Sequence, residues 1–271
     1  MAAVTVSSWP EFLQAIQISG DDVHCPENAV WDMNEIAPDG FIGTIRFDCA
    51  NVYGHNCTIK NLKYDGNINF HSGFGIMSDL HWENIIANSG NQQTFFNRAN
   101  SDVSSPTGLS QMVLCRISGY FTFNGSRYPC DPIGGFVLYR CGINIESPAG
   151  TFNMPAKMQY TNFIAQLPNA STIHAYAGQG RPGFGHYFSN VITVAPNCVN
   201  DYSTAYADGC VFRGRKERLG GFGAACGGTY MSLYCTTDMD AITNPNGVVG
   251  VTETQLKDAA YLQSIGFPIG V

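Results

Sequence analysis

A glycine-rich segment in the second half of the chain holds the side chains best suited to contact a ligand. His174 and Tyr176 precede a run of closely spaced glycines, Arg181 lies within that run, and His186 follows it. Aromatic and guanidinium planes make good contacts with sugars or protein partners, and glycines let a backbone approach a ligand closely. We expect a loop here, and the favoured alternative is a surface turn whose glycines adopt positive φ. The G-x-G-x-x-G pattern followed by a helix is missing, so the segment does not indicate a nucleotide site.

A short basic run follows further along the chain. Four of the fourteen basic residues fall within six positions, which are Arg213, Arg215, Lys216 and Arg218. Such a turn could bind an acidic partner subunit or an anionic glycan, although a solvated loop is the more common meaning of such a run. Together with the glycine-rich segment, these residues are the candidate ligand- or partner-binding site.

Carboxylates could support hydrolysis or elimination of a polysaccharide, because that chemistry needs two of them as acid and base. Asp79 and Asp102 are 23 residues apart and could stand on neighbouring turns of a repeat, but Asp102 falls in an expected insertion. Asp238 and Asp240 share a strand face near the C-terminal end. The acids are otherwise scattered, so no catalytic residue is assigned, and a protein without catalysis is favoured while an enzyme stays an alternative.

The ten cysteines do not form a recognisable metal or redox motif. No two make a C-x-x-C pair, and none lies beside a histidine at zinc-finger spacing. We predict that most are small buried hydrophobic residues, and we assign no metal and no cofactor.

Composition limits the classes of partner. Charged residues make up only 13% of the 271 residues and the formal net charge is −7, which disfavours nucleic acid as a partner. No apolar run approaches the roughly 18 residues of a membrane helix. The short polar start, residues 1–8, lacks the pattern of a secretory signal, so we expect assembly in the cytoplasm and exit by lysis.

Two helices are expected to flank a long strand-rich region. Ser8 and Glu11 fit a capping box before an apolar helical face of Trp9, Phe12, Leu13 and Ile16, and Gly20 ends the helix. A second capping box at 252–255 precedes one terminal helix, which Gly266 and Pro268 stop. We predict an N-terminal capping helix at 1–22, a parallel β-helix at 23–250, and a C-terminal helix and tail at 251–271, in one structural domain.

The strand-rich region carries a loose repeat. Short apolar strands alternate with polar residues and recur at most spacings of 22 to 28 residues, with one longer gap read as an insertion around 91–107. The recurring segments begin at Leu80, Leu114, Leu138, Tyr160, Phe188, Cys210 and Leu233. One rung of a three-sided solenoid needs about this many residues. An antiparallel β-sandwich is the rival, since it also has short strands at regular spacing.

The helix, the Asn-rich turns and the segment Leu80–Asn84 resemble the pectin-lyase-like right-handed parallel β-helices, and residues 58–62 are similar to rung starts in that superfamily. The layout also resembles small β-helix proteins of phages and prophages of gut bacteria. The Asp-Asp, Gly-His-Gly and Arg-Ile-Lys motifs of polygalacturonase-like enzymes are missing from the sequence. The resemblance implies an all-β solenoid and a non-enzymatic structural or receptor-binding protein of a virion. Its expected partners are other virion proteins, copies of itself and a host surface glycan. The alternatives are a depolymerase on the same fold and a glycan-binding module centred on His174, Tyr176, Arg181 and His186.

Overall fold

The computed structural model shows a strand-rich chain in which short strands stack in parallel. It describes residues 2–88, 95–98, 110–122, 133–134, 136–148, 151–153, 157–167, 172–174, 186–189, 192–194, 199–201, 205–208, 210–214, 232–236 and 248–267. Every strand pair within these residues is parallel. The antiparallel sandwich is therefore wrong, and the arrangement is compatible with a parallel β-helix.

The strands, numbered in chain order, form two long stacks that the chain visits in turn. The first stack contains β1 (Ala3–Thr5), β2 (Asp22–His24), the start of β5 (Asn51–Lys60), the start of β7 (Ile76–Asn88), β9 (Ser110–Val113), β12 (Phe136–Tyr139), β15 (Lys157–Gln159), β18 (His186–Ser189) and β21 (Ala205–Asp208). The second stack contains β3 (Val30–Asp32), the end of β5, the middle of β7, β10 (Arg116–Thr122), β13 (Gly142–Glu146), β16 (Asn162–Gln166), β19 (Ile192–Val194), β22 (Val211–Gly214), β23 (Ser232–Thr236) and β24 (Val248–Val251).

A third set of strands completes each turn of chain. It contains β4 (Phe41–Phe47), β6 (Lys63–Phe70), β8 (Phe96–Arg98) and β11 (Ile133–Gly134). A separate three-stranded sheet contains β14 (Thr151–Asn153), β17 (Thr172–His174) and β20 (Val199–Asp201). We call one passage of the chain through these strands a rung.

The predicted repeat segments lie on consecutive rungs. Trp82, in the first segment, is in register with Ile117, which is in register with Ile143, and Phe163 follows on the next rung. The same register continues through Thr193, Phe212 and Tyr234. The spacing is less regular than expected, because register partners are 35 residues apart at Trp82 and Ile117 and 20 apart at Ile143 and Phe163. The expected insertion is also partly wrong, since Phe96 lies within 91–107 but pairs with Ile68 in the third set.

The N-terminal segment contains a strand as well as the predicted helix. Before the helix, β1 pairs with β2, so residues 1–22 are not helical throughout. Helix α1 (Trp9–Ala15) begins at the N-cap Ser8, whose hydroxyl accepts a hydrogen bond from the Glu11 amide. The Glu11 carboxylate accepts hydrogen bonds from the amide and hydroxyl of Ser7, not from Ser8, so the capping box is only half formed. These two bonds lower the pKa of Glu11.

Helix α1 packs its apolar face on the first rungs. Its Phe12 ring lies 5.3 Å from Trp31 and 6.0 Å from Phe47, and Trp9 lies 5.7 Å from Phe41. A short helix α2 (Met33–Ile36), which the sequence did not indicate, follows β3 with Asp32 as its N-cap. The predicted apolar face is confirmed, because buried aromatic area contributes most to the packing of so short a helix.

The C-terminal helix is divided into two. Helix α3 (Glu253–Leu256) has the predicted capping box, in which Thr252 and Gln255 exchange side-chain-to-amide hydrogen bonds of 2.8 and 3.2 Å. Helix α4 (Ala259–Ser264) begins anew at the N-cap Asp258, which restarts the helix where one continuous element was expected. Its buried Leu262 packs in a small cluster with Val251 of β24.

One hydrophobic core runs along the described rungs. Aromatic rings stack within it, as Phe47 does on Phe70 at 4.5 Å. Six cysteines are buried in or beside the strands, as predicted, and they are Cys25, Cys49, Cys57, Cys115, Cys141 and Cys210. Burial raises the pKa of Cys49 to about 12, so its thiol stays protonated and behaves as a small apolar group.

Candidate binding surface

The turn between the first and second stacks has the same backbone shape in six successive rungs. One residue in each turn adopts a left-handed conformation with φ between 49° and 62°. We call these residues the corner column, and they are Asn28, Asn56, Asp79, Leu114, Arg140 and Tyr160. Backbone hydrogen bonds to the following rung fix the shape, since the amide of Leu114 donates to the carbonyl of Tyr139 and that of Arg140 donates to Gln159.

The residue types in the corner column change halfway along. The first three rungs use Asn or Asp, which tolerate the left-handed region because their short side chains bond locally. The next three rungs use Leu114, Arg140 and Tyr160, for which this conformation costs about 1–2 kcal/mol each. Strained, bulky side chains at exposed positions are typical of functional surfaces.

The strained half of the column forms one surface with the neighbouring strand. We call Leu114, Tyr139, Arg140 and Tyr160 the aromatic patch. The rings of Tyr139 and Tyr160 are nearly perpendicular, with centroids 5.8 Å apart. The Arg140 guanidinium carbon lies 5.4 Å from the Tyr139 centroid and 6.0 Å from that of Tyr160. Leu114 and Tyr160 remain 48% and 45% exposed, so the surface is open to a partner.

The charge of Arg140 is not neutralised nearby. Within the part of the chain that the structure describes, no carboxylate oxygen lies within 4.0 Å of its guanidinium. The two tyrosines hold the guanidinium by cation–π contacts, which occupy its faces and leave its N–H edge accessible. The patch can therefore donate charge-assisted hydrogen bonds to an anionic group.

The first half of the corner is polar and internally bonded. The His24 and His55 rings face each other with Nδ1 and Nε2 3.0 Å apart, and Tyr53 stacks on His24 with centroids 4.8 Å apart. The Asn56 amide donates to the Asn28 side-chain oxygen over 2.7 Å. These groups satisfy one another, so this half offers fewer free donors than the aromatic patch.

Beside the corner, His81 resembles a catalytic base but is fully engaged. Its side chain is only 1% exposed, and its Nδ1 accepts a hydrogen bond from the Arg116 amide. This fixes the proton on Nε2, which donates to the Asn56 side-chain oxygen at 3.0 Å and lies 3.5 Å from Asp79. Burial, followed by the nearby charge of Arg116, lowers the pKa of His81. With neither nitrogen free, His81 positions the strands and is not placed to exchange a proton with a ligand.

Several carboxylates near the stacks are likewise held by intrachain partners. Glu83 accepts from Arg116 at 3.0 Å. Asp32 accepts from the Asn61 amide at 2.8 Å and pairs with Lys60, and these contacts, the Asn61 bond first, lower the pKa of Asp32. Asp102, Asp238 and Asp240 lie outside the described residues. Among the residues that are described, no group of three or more His, Cys, Asp or Glu could hold a metal ion.

The structure describes only part of the site predicted from sequence. His174 ends β17 and His186 begins β18, so the supposed loop is bounded by strands of two different sheets. Arg213 lies in β22, as its repeat segment predicts. The remaining predicted residues lie outside the described ranges, and they are Tyr176, Arg181, Arg215, Lys216 and Arg218. A binding role for these eight residues stays a prediction.

The aromatic patch was missed in the sequence because its members read as ordinary rung residues. Each of Leu114, Arg140 and Tyr160 directly precedes a buried Cys or Thr that starts the next strand. A usable signal was the Asn or Asp at the equivalent position of earlier rungs, but the equivalence depends on the register.

Comparison with known proteins adds no relative, since no family model, curated protein or solved structure matches the chain. In the described residues, none of the helices has the length and apolar character needed to cross a membrane.

Proposed function

We propose that this protein is a non-enzymatic component of a bacteriophage particle, an appendage, fibre or decoration, that acts by binding through its surface. The observation that carries the proposal is the aromatic patch, where Arg140 and two tyrosines stand exposed at strained positions on a rigid strand stack. Tyrosine and arginine supply much of the energy of protein surfaces that recognise partners. We further propose that the strands form a single right-handed parallel β-helix covered by helices at both ends, and that copies of the chain associate.

Binding without cleavage is favoured by the state of the acidic groups. Near the described stacks, Asp32 and Glu83 are each paired with a basic side chain and sit in structural contacts. A glycan-cleaving centre instead needs one carboxyl group kept protonated as an acid and a second one free to act as base or nucleophile. The lowered pKa of Asp32 is the opposite of what a general acid requires.

The proposal is tested by following the protein through particle purification. Lysates of the producing strain are separated on a density gradient, and the chain is quantified in each fraction by mass spectrometry. We expect it in the fractions that contain intact particles, at a fixed ratio to the major capsid protein. A chain found only in the soluble fractions contradicts the proposal.

A second assay separates binding from depolymerisation. The purified full chain is incubated with capsule and cell-wall glycans, and new reducing ends and unsaturated sugars are measured. We expect no release of either product. Steady release at catalytic protein concentrations would assign the protein to the depolymerases instead.

A further inference from the structure

We propose that the aromatic patch is a binding site for a saccharide that bears carboxylates, with the guanidinium edge of Arg140 as the carboxylate receptor. The inference rests on the proposed function, because it names the ligand class that a binding surface at this corner would take. It concerns Leu114, Tyr139, Arg140 and Tyr160, and not the glycine-rich and basic segments that the sequence indicated.

The first argument is the cost of the backbone. Three successive rungs hold a bulky side chain at φ of 58°, 53° and 49°, where the preceding rungs have Asn or Asp. The exposed parts of these side chains repay little of that cost through packing, since about half of Leu114 and Tyr160 faces solvent. A local structural role would be served better by Asn, so the strain is explained by a contact with something outside the chain.

The second argument is the geometry of the guanidinium. Arg140 stands over two nearly perpendicular rings, which fixes its plane and reduces the side-chain entropy that binding would otherwise cost. Its N–H edge has no carboxylate partner in the described part of the chain. A fork of parallel N–H donors matches the two oxygens of one carboxylate.

The third argument concerns the shape of the ligand. The patch spans three rungs, and neighbouring parallel strands are about 4.8 Å apart, so it is elongated along the stack. Leu114 and the tyrosines flank the arginine with apolar surface and hydroxyl groups, which suits a sugar ring with its apolar and hydroxyl faces. Nucleic acid fits poorly, because the chain carries a net charge of −7 and would repel a phosphate backbone.

The test measures binding of the full chain to four immobilised polysaccharides by biolayer interferometry. Polysialic acid and hyaluronan carry carboxylates, dextran sulfate carries sulfates, and dextran is neutral. The variants are Arg140→Asn, which suits the left-handed backbone, Arg140→Lys, which keeps the charge but loses the fork, and Tyr160→Asn. The matched control is Arg46→Asn, because Arg46 is also an exposed arginine but already pairs with Asp48 at 3.1 Å on the third set of strands.

We expect the unaltered protein to bind at least one carboxylated glycan at least tenfold more tightly than dextran. Arg140→Asn should lose tenfold or more of that affinity, Arg140→Lys should retain an intermediate affinity, and Arg46→Asn should bind like the unaltered chain. Circular dichroism melts should show Arg140→Asn folded, so that a loss of binding is a loss of the site.

Three results would overturn the inference. These are no binding to either carboxylated glycan, equal losses in the Arg140→Asn and Arg46→Asn variants, and stronger binding to dextran sulfate or dextran than to both carboxylated chains. A protein that travels with particles but binds none of the four leaves the proposed function standing and removes only the ligand assignment.

Discussion

Two glycines that face each other across the third set of strands provide a sharp test of the parallel register. Gly43 of β4 and Gly66 of β6 are register partners, with φ of 116° and 147°. A methyl group added at Gly66 would collide with the Gly43 carbonyl, whereas one added at Gly43 meets no atom within 4 Å. The same Gly43 carbonyl lies 3.0 Å from the hydroxyl of the buried Tyr64, so it has little freedom to move.

The structure therefore predicts unequal effects of the same substitution. Gly43→Ala should cost about 1–3 kcal/mol through backbone strain alone. Gly66→Ala should cost a further 1–3 kcal/mol or so, because the strands must separate to admit the methyl group. Urea unfolding of both variants, followed by tryptophan fluorescence, measures the difference. If Gly43→Ala is as damaging as Gly66→Ala, or more so, the register of β4 and β6 is wrong.

The remaining predictions concern the helices and the buried histidine. Phe12→Ala should destabilise the protein by about 3–5 kcal/mol in urea unfolding, since it empties a fully buried ring site, while the exposed Gln14→Ala should change stability by less than about 0.5 kcal/mol; similar effects would mean that α1 does not pack on the rungs. Thr252→Ala should cost about 0.5–2 kcal/mol by removing an N-cap, and unchanged hydrogen exchange of α3 would count against that cap. The unfolded chain binds a proton at His81 more readily than the folded chain, so stability should fall as pH drops below about 6.5 towards the lowered folded pKa. Unfolding between pH 5 and 7.5 should show a smaller pH dependence for His81→Gln, and an unchanged dependence would contradict the neutral, engaged His81.

The sequence predicted the parallel coil better than its boundaries. Segments such as 80–84 announce themselves because a strand with one buried face alternates apolar and polar residues. Strand β1 is too short for any period to be visible, yet it pairs with β2. Phe95 and Phe96 are both fully buried, but the polar residues around them suggested an insertion rather than a rung.

The candidate site was the least predictable part, for a conformational reason. Asn and Gly announce left-handed turns, so turns at Asn28 and Asn56 are readable from the sequence. Leu114, Arg140 and Tyr160 give no such signal, because these residue types avoid the left-handed region. Only the register of successive rungs shows that they occupy the same turn position.

The claim that the corner column gives up stability for binding is tested most directly by one triple variant, Leu114→Asn, Arg140→Asn and Tyr160→Asn. Each change relieves backbone strain of about 1–2 kcal/mol and loses contacts of similar size. Urea unfolding and glycan binding are measured on the same preparation. We predict a free energy of unfolding equal to or above that of the unaltered protein, together with loss of binding to carboxylated glycans. A variant that binds as before, or one that is destabilised by several kcal/mol, would contradict the claim.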